Sequence, residues 1–191
     1  YGGEPIGVVL SAYLKALNMG MILYSAVRSR HRGRGVYSGL RARVVEFMDR
    51  QAGLECYGGA GSETGSLRVS YLMSELDTGG PFFHRYIDHW GAYVAPCDYE
   101  QPPVQGLASR RMSLVFQPIA QDGPPPPNEI PGIVLAVYRH IYRIPDPEGS
   151  PVFRRVVGSM RLPCPPQGSH RGQSAECGIQ QDTPSEAAAH A

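Results

Sequence analysis

Lysine is almost absent from this chain: of its 18 basic side chains only Lys15 is a lysine, and the rest are arginines. That bias is what codon composition in a GC-rich genome produces, and it inflates apparent arginine motifs, so a cluster of arginines is not functional by count alone. An excess of one charge is missing too. The 18 basic groups face 17 acidic ones, and a net charge of +1 gives no global field to draw in a polyanion. Cysteine is scarce: Cys56, Cys97, Cys164 and Cys177 form no CxxC pair, which excludes a disulfide scaffold and fits reduced thiols in a cytoplasm. Cys164, His170 and Cys177 lie in a Pro/Gly/Ser-rich stretch at spacings of six and seven residues. Those spacings match no ordinary zinc module, so no metal is expected.

Long apolar runs are limited to Ile6 to Val27, and Lys15 and Asn18 interrupt that one at its centre. A charge is costly there in a bilayer, and Asn18-Met19-Gly20 reads as a turn between two runs rich in Val, Ile, Leu and Tyr. A hairpin of buried strands fits this better than a membrane span. No basic segment precedes it, so a secretory signal is not indicated. Gly-Lys-Ser/Thr and G-x-G-x-x-G are both absent, which removes a Walker phosphate loop and the dinucleotide fingerprint.

What remains has a definite order. Strands are predicted near 6–14 and 19–27. Val36, Leu40, Val44, Phe47 and Met48 then recur at helical spacing, giving a helix over 36–52 that stops at Gly53. Leu67 to Leu76 alternates as a strand does, and Pro81 opens a helix over 82–90 that Gly91 ends. Two more strands are expected over 92–99 and 111–118, and a last helix over 129–144 follows the tetraproline at 124–127. From Pro145 the composition turns to Pro, Gly, Ser, Gln and Ala. The expected division is a domain over 1–145 and a linker and low-complexity tail over 146–191, disordered from about residue 160. Mixed strands and helices in this order make an α+β fold.

The stretch RSRHRGRGVYSGLRARVVEFM, residues 28–48, falls between a strand and a helix. The first N–H groups of a helix have no intrahelical partner, and its dipole places about half a positive charge there. Gly33 and Gly35 allow close backbone approach, and Arg32 and Arg34 can add charge-assisted bonds, so a pyrophosphate-bearing cofactor is the leading expectation. Two alternatives stay open: a solvated basic loop, and an arginine-rich nucleic-acid site. The second predicts interleaved aromatics, and only Tyr37 is near.

YSAVRSRHRGRGVYSGLRARVVEFM resembles the acetyl-CoA-binding motif of the GNAT superfamily of N-acetyltransferases: a strand ending in a small residue and valine, then R/Q-x-x-G-x-G/A, then a helix. The match runs through Ala26 and Val27, then Arg32, Gly33, Arg34, Gly35, Val36 and Tyr37. Tyr37 holds the motif's last Gly/Ala position, where its ring would either crowd the phosphates or point outward. HRYIDHWGAYVAPCDYEQPPV resembles the family's second helix and the strand after it, and DYEQPP is similar to a tyrosine-x-glutamine-proline signature of some bacterial branches. The resemblance covers about residues 4–144. It implies a mostly antiparallel mixed sheet flanked by helices. It further implies that backbone groups of Ser25, Ala26 and Val27 pair with the pantetheine arm, and that amides from Gly33 to Ser38 hold the pyrophosphate. The family's usual first strand and two helices, one wall of the acceptor site, are not found ahead of the first predicted strand.

An acetyltransferase also needs proton management. A lysine-like amine with a pKa near 10.4 costs roughly 4.6 kcal/mol to deprotonate at pH 7, so a carboxylate base is expected. Leu23 stands where the family often has an acid. Glu75 on the next strand is therefore the candidate base, with Asp77 on the same face if the strand continues. The family often protonates the departing thiolate with a tyrosine in the second helix. Counting back from Gly91 puts Ile87 there and Tyr86 one residue away, and Tyr86 is the candidate acid. Trp90 is expected in the core. The implied activity is direct acetyl transfer from acetyl-CoA to a primary amine in a small molecule or peptide, without metal, nucleic acid or membrane, in a cytoplasmic, bacterial-type protein that could pair as a homodimer. The alternatives are an acyl-CoA-binding domain without turnover and an arginine-rich nucleic-acid binder.

Overall fold

The computed structural model describes residues 3–56, 68–104 and 106–160. Two strands open the chain, β1 (Gly7–Leu14) and β2 (Met19–Val27), antiparallel to one another. They are joined by a short 3-10 turn that ends on Asn18 in the left-handed conformation, φ 49°. Asn tolerates this because its side chain bonds locally and across: it accepts from Tyr13 Oη at 2.9 Å and donates to the Arg68 carbonyl at 2.8 Å. The hairpin expected of the apolar run is thus the one formed. Among the described residues no helix is long and apolar enough to cross a membrane.

After a 3-10 turn at Ser29–His31 comes α1 (Val36–Cys56). It runs one turn past Gly53, the expected stop, because Gly53 is not in the left-handed conformation that ends a helix. Next are β3 (Tyr71–Leu76), α2 (Pro81–Trp90) and β4 (Tyr93–Val94). Pro81 occupies the first turn of α2, and Gly91 at φ 59° ends it, its own N–H and that of Ala92, at 3.0 Å, both donating to the Tyr86 carbonyl. Then follow β5 (Glu100–Gln101), β6 (Arg110–Arg111) and β7 (Ser113–Pro118). The strand expected over 92–99 is reduced to two residues. Pro96 has no N–H to give a ladder, and the chain leaves the sheet there.

A 3-10 turn at Pro127–Glu129 leads into α3 (Ile130–Ala136), which widens into a π turn over Val137–Ile141. The Tyr142 N–H reaches five residues back to the Val137 carbonyl at 3.2 Å. A final helix, α4 (Pro151–Gly158), lies beyond the expected boundary at 145. Its Val152, Phe153 and Val156 are buried in the same cluster as Leu114 and Ile133, so the packed domain extends past that point. The composition change misled because three apolar residues on one short helical face suffice to bury it. The expected disordered tail from 161 onward lies outside the described residues.

The main sheet has the order β1-β2-β3-β7-β4, with β2–β3 its single parallel pair among the described residues. Helices α1 and α2 cover one face and α3 and α4 the other. Met21, Met73, Leu114 and Phe116 point toward α3 and α4. Ile22 and Leu72 of the sheet pack against Met48 of α1, while Val115 packs with Tyr37 of α1 and Tyr86 of α2. Gly20 lets α1 approach β2: a Cβ there would sit 1.9 Å from Met48 Sδ.

Candidate functional site

The sheet splits in its middle. Parallel pairing of β2 with β3 runs from Met19 opposite Tyr71 only to Ile22 opposite Ser74. At that point β2 carries a bulge, because Leu10 and Ser11 of β1 face Tyr24 and Ile22, leaving Leu23 as the extra residue. A bulge bends its strand and raises the local twist, so β2 stays with β1 and leaves β3. A slot opens between residues 23–27 of β2 and Glu75 and Leu76 of β3.

Strand alternation decides which backbone groups face the slot. The Arg28 N–H donates to the Ile6 carbonyl of the β1 side at 2.9 Å. Amides two and four residues earlier point the same way, so those of Ser25 and Val27 point away from β1, where no strand of the described residues pairs with them. The Val27 carbonyl accepts from Arg32 Nε at 3.1 Å, which ties the following turn to the strand end.

That turn remains open at its nitrogens. Gly33 and Gly35 have φ 73° and 76°, a left-handed conformation that costs other residues about 1–2 kcal/mol each. The Gly39 N–H is the first to find a helical carbonyl, that of Gly35, at 2.9 Å. Among the described residues, no backbone hydrogen bond uses the N–H groups from Gly33 to Ser38. These six amides sit at the positive end of a 21-residue helix that has no acidic residue in its first turn. All of these residues but Arg34 line a cleft of about 480 Å³ that also takes in Ser25, Val27, Arg32 and Arg85. Arg28 and Arg30 do not join it: both bind Glu4, at 2.5 and 2.9 Å.

Tyr37 does not point outward, one of the two outcomes expected of it, and it lines that cleft. Its ring turns inward between Phe82 and Trp90, with centroids 5.6 and 5.5 Å away. Its hydroxyl meets that of Tyr86 at 2.5 Å, and Ser74 Oγ donates to Tyr86 Oη at 3.1 Å. Hydroxyls from α1, α2 and β3 thus form one line beside the split. Burial, and then the neighbouring Tyr86, hold the Tyr37 proton far more tightly than usual. Arg41 lies beside the line, donating to Gln117 Oε1 at 2.7 Å and stacking 5.3 Å above Trp90. Trp90, expected in the core, is half-buried against the guanidinium groups of Arg41 and Arg85.

A second cleft of about 280 Å³ adjoins the first through Ser25, Tyr37 and Phe82, and reaches Glu75 and Tyr86. Glu75 follows Met73 on the α3 face, so it stands on the opposite side of the sheet from the hydroxyl line. Tyr99 Oη donates to its Oε1 and Tyr142 Oη to its Oε2, while Gln101 Nε2 lies 3.4 Å from Oε2. Burial raises the Glu75 pKa above the usual carboxylate value, and the bonds from Tyr142 and Tyr99 counter part of that rise. Asp77 does not share the face, because β3 ends at Leu76; its carboxylate instead accepts the Gly79 N–H at 3.1 Å and Arg110 at 2.7 Å.

The candidate base and acid thus lie on the same cleft, and of the ten residues expected to hold the cofactor nine line its neighbour, Arg34 being the one that does not. The residues that sequence reasoning missed are those that contact them. Tyr99 and Gln101 sat within the quoted DYEQPP, two apart and so on one side of an extended segment, but nothing tied them to Glu75. Tyr142, Ser74 and Arg41 carried no signal. Among the described residues no group of acidic, histidine or cysteine side chains could hold a metal ion.

No protein-family model matches the chain, and no curated protein matches it. Solved structures do. An acetyltransferase of the GNAT family from Bacteroides thetaiotaomicron superimposes with a TM-score of 0.50 at 15% identity, covering 73% of this chain and 68% of that one. A ribosomal-protein-alanine N-acetyltransferase from Escherichia coli gives 0.43 at 12% identity, with coverage of 65% and 68%. An IAA acetyltransferase from Bacillus cereus gives 0.40 at 18% identity, with 62% and 73%. The first likeness, together with the split sheet and its flanking helices, shows a GNAT-like α+β fold.

Proposed function

We propose that this chain binds acetyl-CoA across the split and transfers its acetyl group to a primary amine by direct attack. The observation that carries this is the row of unpaired amides from Gly33 to Ser38 beside a strand edge freed by a bulge. The amides and Arg32 would take the pyrophosphate, as an anion at a helix N-terminus. Ser25, Ala26 and Val27 would take the pantetheine arm as an added strand, with one slot-facing N–H polarising the thioester carbonyl. Arg28 and Arg30 are engaged by Glu4, which supports a compact anion over a nucleic acid.

On the other side of the sheet, Glu75 takes a proton from the incoming ammonium group. The neutral nitrogen then bonds to the carbonyl carbon, the carbon–sulfur bond breaks, and the departing thiolate is protonated. Tyr86 is assigned to that last step through Tyr37, since Tyr86 is 1% exposed and its hydroxyl already meets Tyr37. The nitrogen's second proton restores the pair. The acceptor fits a small molecule or a peptide terminus.

A second reading has one observation in its favour. Leu23 offers no carboxylate and the Tyr86 hydroxyl is already satisfied, as in a domain that binds acyl-CoA without turning it over. Calorimetry with coenzyme A, and thiol release from acetyl-CoA across an amine panel, separate the two. Binding with amine-dependent release is expected; binding without release supports the second reading, and no binding overturns both.

A further inference from the structure

We propose that Tyr99 and Tyr142 are positioning residues that hold the Glu75 carboxylate ionised and aimed into the acceptor cleft, one hydroxyl on each oxygen. This rests on Glu75 as the base of the proposed transfer. The two rings arrive from separate elements. Tyr99 lies just before β5, and Tyr142 directly follows the π turn that extends α3. A π turn shifts the side chains after it around the helix relative to an α-helical continuation, and such turns recur at functional sites.

The direction of the Tyr142 bond is set by a third residue. Gln101 Nε2 donates to Tyr142 Oη at 2.8 Å, so that oxygen is already an acceptor and its one proton is free for Glu75 Oε2. Tyr99 is 1% exposed and has Glu75 Oε1 as its partner. A carboxylate accepts from phenols, whereas a protonated carboxyl would have to turn its own proton away from two donors. The arrangement therefore selects the charged form, the form that can take a proton.

No charged group performs this task. Among the described residues no arginine, lysine or histidine pairs with Glu75. The charged groups nearby are committed elsewhere: Glu100 to Arg155 at 2.7 Å, and Asp77 to Arg110 at 2.7 Å. Tyr138, on the π turn, donates to the Glu100 carbonyl, and burial and then Asp98 push the Cys97 thiol up to about 11. Tyr99 and Tyr142 themselves stay protonated through neutral pH, since burial raises both above the ordinary phenol value.

The test is a carbon-13 titration of the glutamate carboxyls in the full chain, with Glu75→Gln identifying the Glu75 signal. In Tyr142→Phe and in Tyr99→Phe that signal is expected to titrate about one pH unit higher, the size of a lost bond to a charged group. Melting temperatures confirm that each variant is folded, and two independent variants guard against the loss of either. A Glu75 titration unmoved in the folded variants overturns the proposal. The acidic limb of kcat/KM for thiol release should move by the same amount. If the carboxyl titration moves and the kinetic limb does not follow, the clamp stands and Glu75 is not the base.

Discussion

The hydroxyls of Tyr37 and Tyr86 lie 2.5 Å apart and bind the first turn of α1 to the middle of α2 across the floor of the split sheet. A position where a coenzyme motif of this kind carries glycine or alanine is here given to a buried ring. Tyr37→Phe removes that bond and leaves Tyr86 with Ser74 as its partner. The expected loss is about 0.5–1.5 kcal/mol, read as a lowered urea midpoint at unchanged slope.

The anion site is tested by combining Arg32→Ala with Gly35→Ala. The first removes a charge and the tie to the Val27 carbonyl; the second forces a Cβ into a backbone at φ 76°. Coenzyme A at a hundred times its Kd should stabilise the parent by about 2.7 kcal/mol and raise its Tm accordingly. The double variant is expected to show no such rise. Undiminished protection would place the cradle elsewhere.

Glu75→Gln should slow thiol release most near neutral pH and least near pH 10, where the amine gives up its proton unaided. For the parent the sign follows from burial: Glu75 titrates above the usual carboxylate value, so activity is lost as pH falls through that raised pKa and is full above it. A rate profile across pH 5 to 10 reads both effects. Equal losses at both ends would remove Glu75 from the mechanism.

Two predictions concern the scaffold. Gly20→Ala drives a methyl toward Met48, whose Sδ would be 1.9 Å away and whose side chain is fully buried. Overpacking of this kind costs about 1–3 kcal/mol, measured by chemical denaturation.

Phe153→Ala empties a buried site in α4, where the ring packs edge-on against Tyr138 at 5.7 Å. A loss of about 3–5 kcal/mol is expected by the same measurement. A loss under 1 kcal/mol would mean that α4 is not part of the domain's core.

The local features of the glycine turn and the elements around it were legible because they are written in adjacent residues. Gly33 and Gly35 adopt the left-handed turn, Pro81 opens α2, Gly91 closes it, and Asn18 turns the hairpin. Each is a property of one residue's φ or of a few neighbours, so periodicity and turn chemistry suffice to read it. The amphipathic spacing of α1 likewise set the burial of Val36, Leu40, Val44 and Met48, though not of Phe47, which is exposed, nor the helix's last turn.

The acceptor side could not be read that way, since it is assembled from residues 24 to 67 positions apart. Tyr99 and Tyr142 reach Glu75 only because β7 pairs with β3 and α3 packs on that same face. The inward turn of Tyr37 depends on Tyr86, 49 residues away, and the slot depends on a bulge that appears only once β1 and β2 are in register. Sequence alone determined the hairpin turn, the starts of α1 and α2 and the open amides, because those are governed by backbone sterics within a few residues. Tertiary packing decided which carboxylate is clamped and where the sheet parts, because both are set by contacts between distant segments whose energies no local pattern contains.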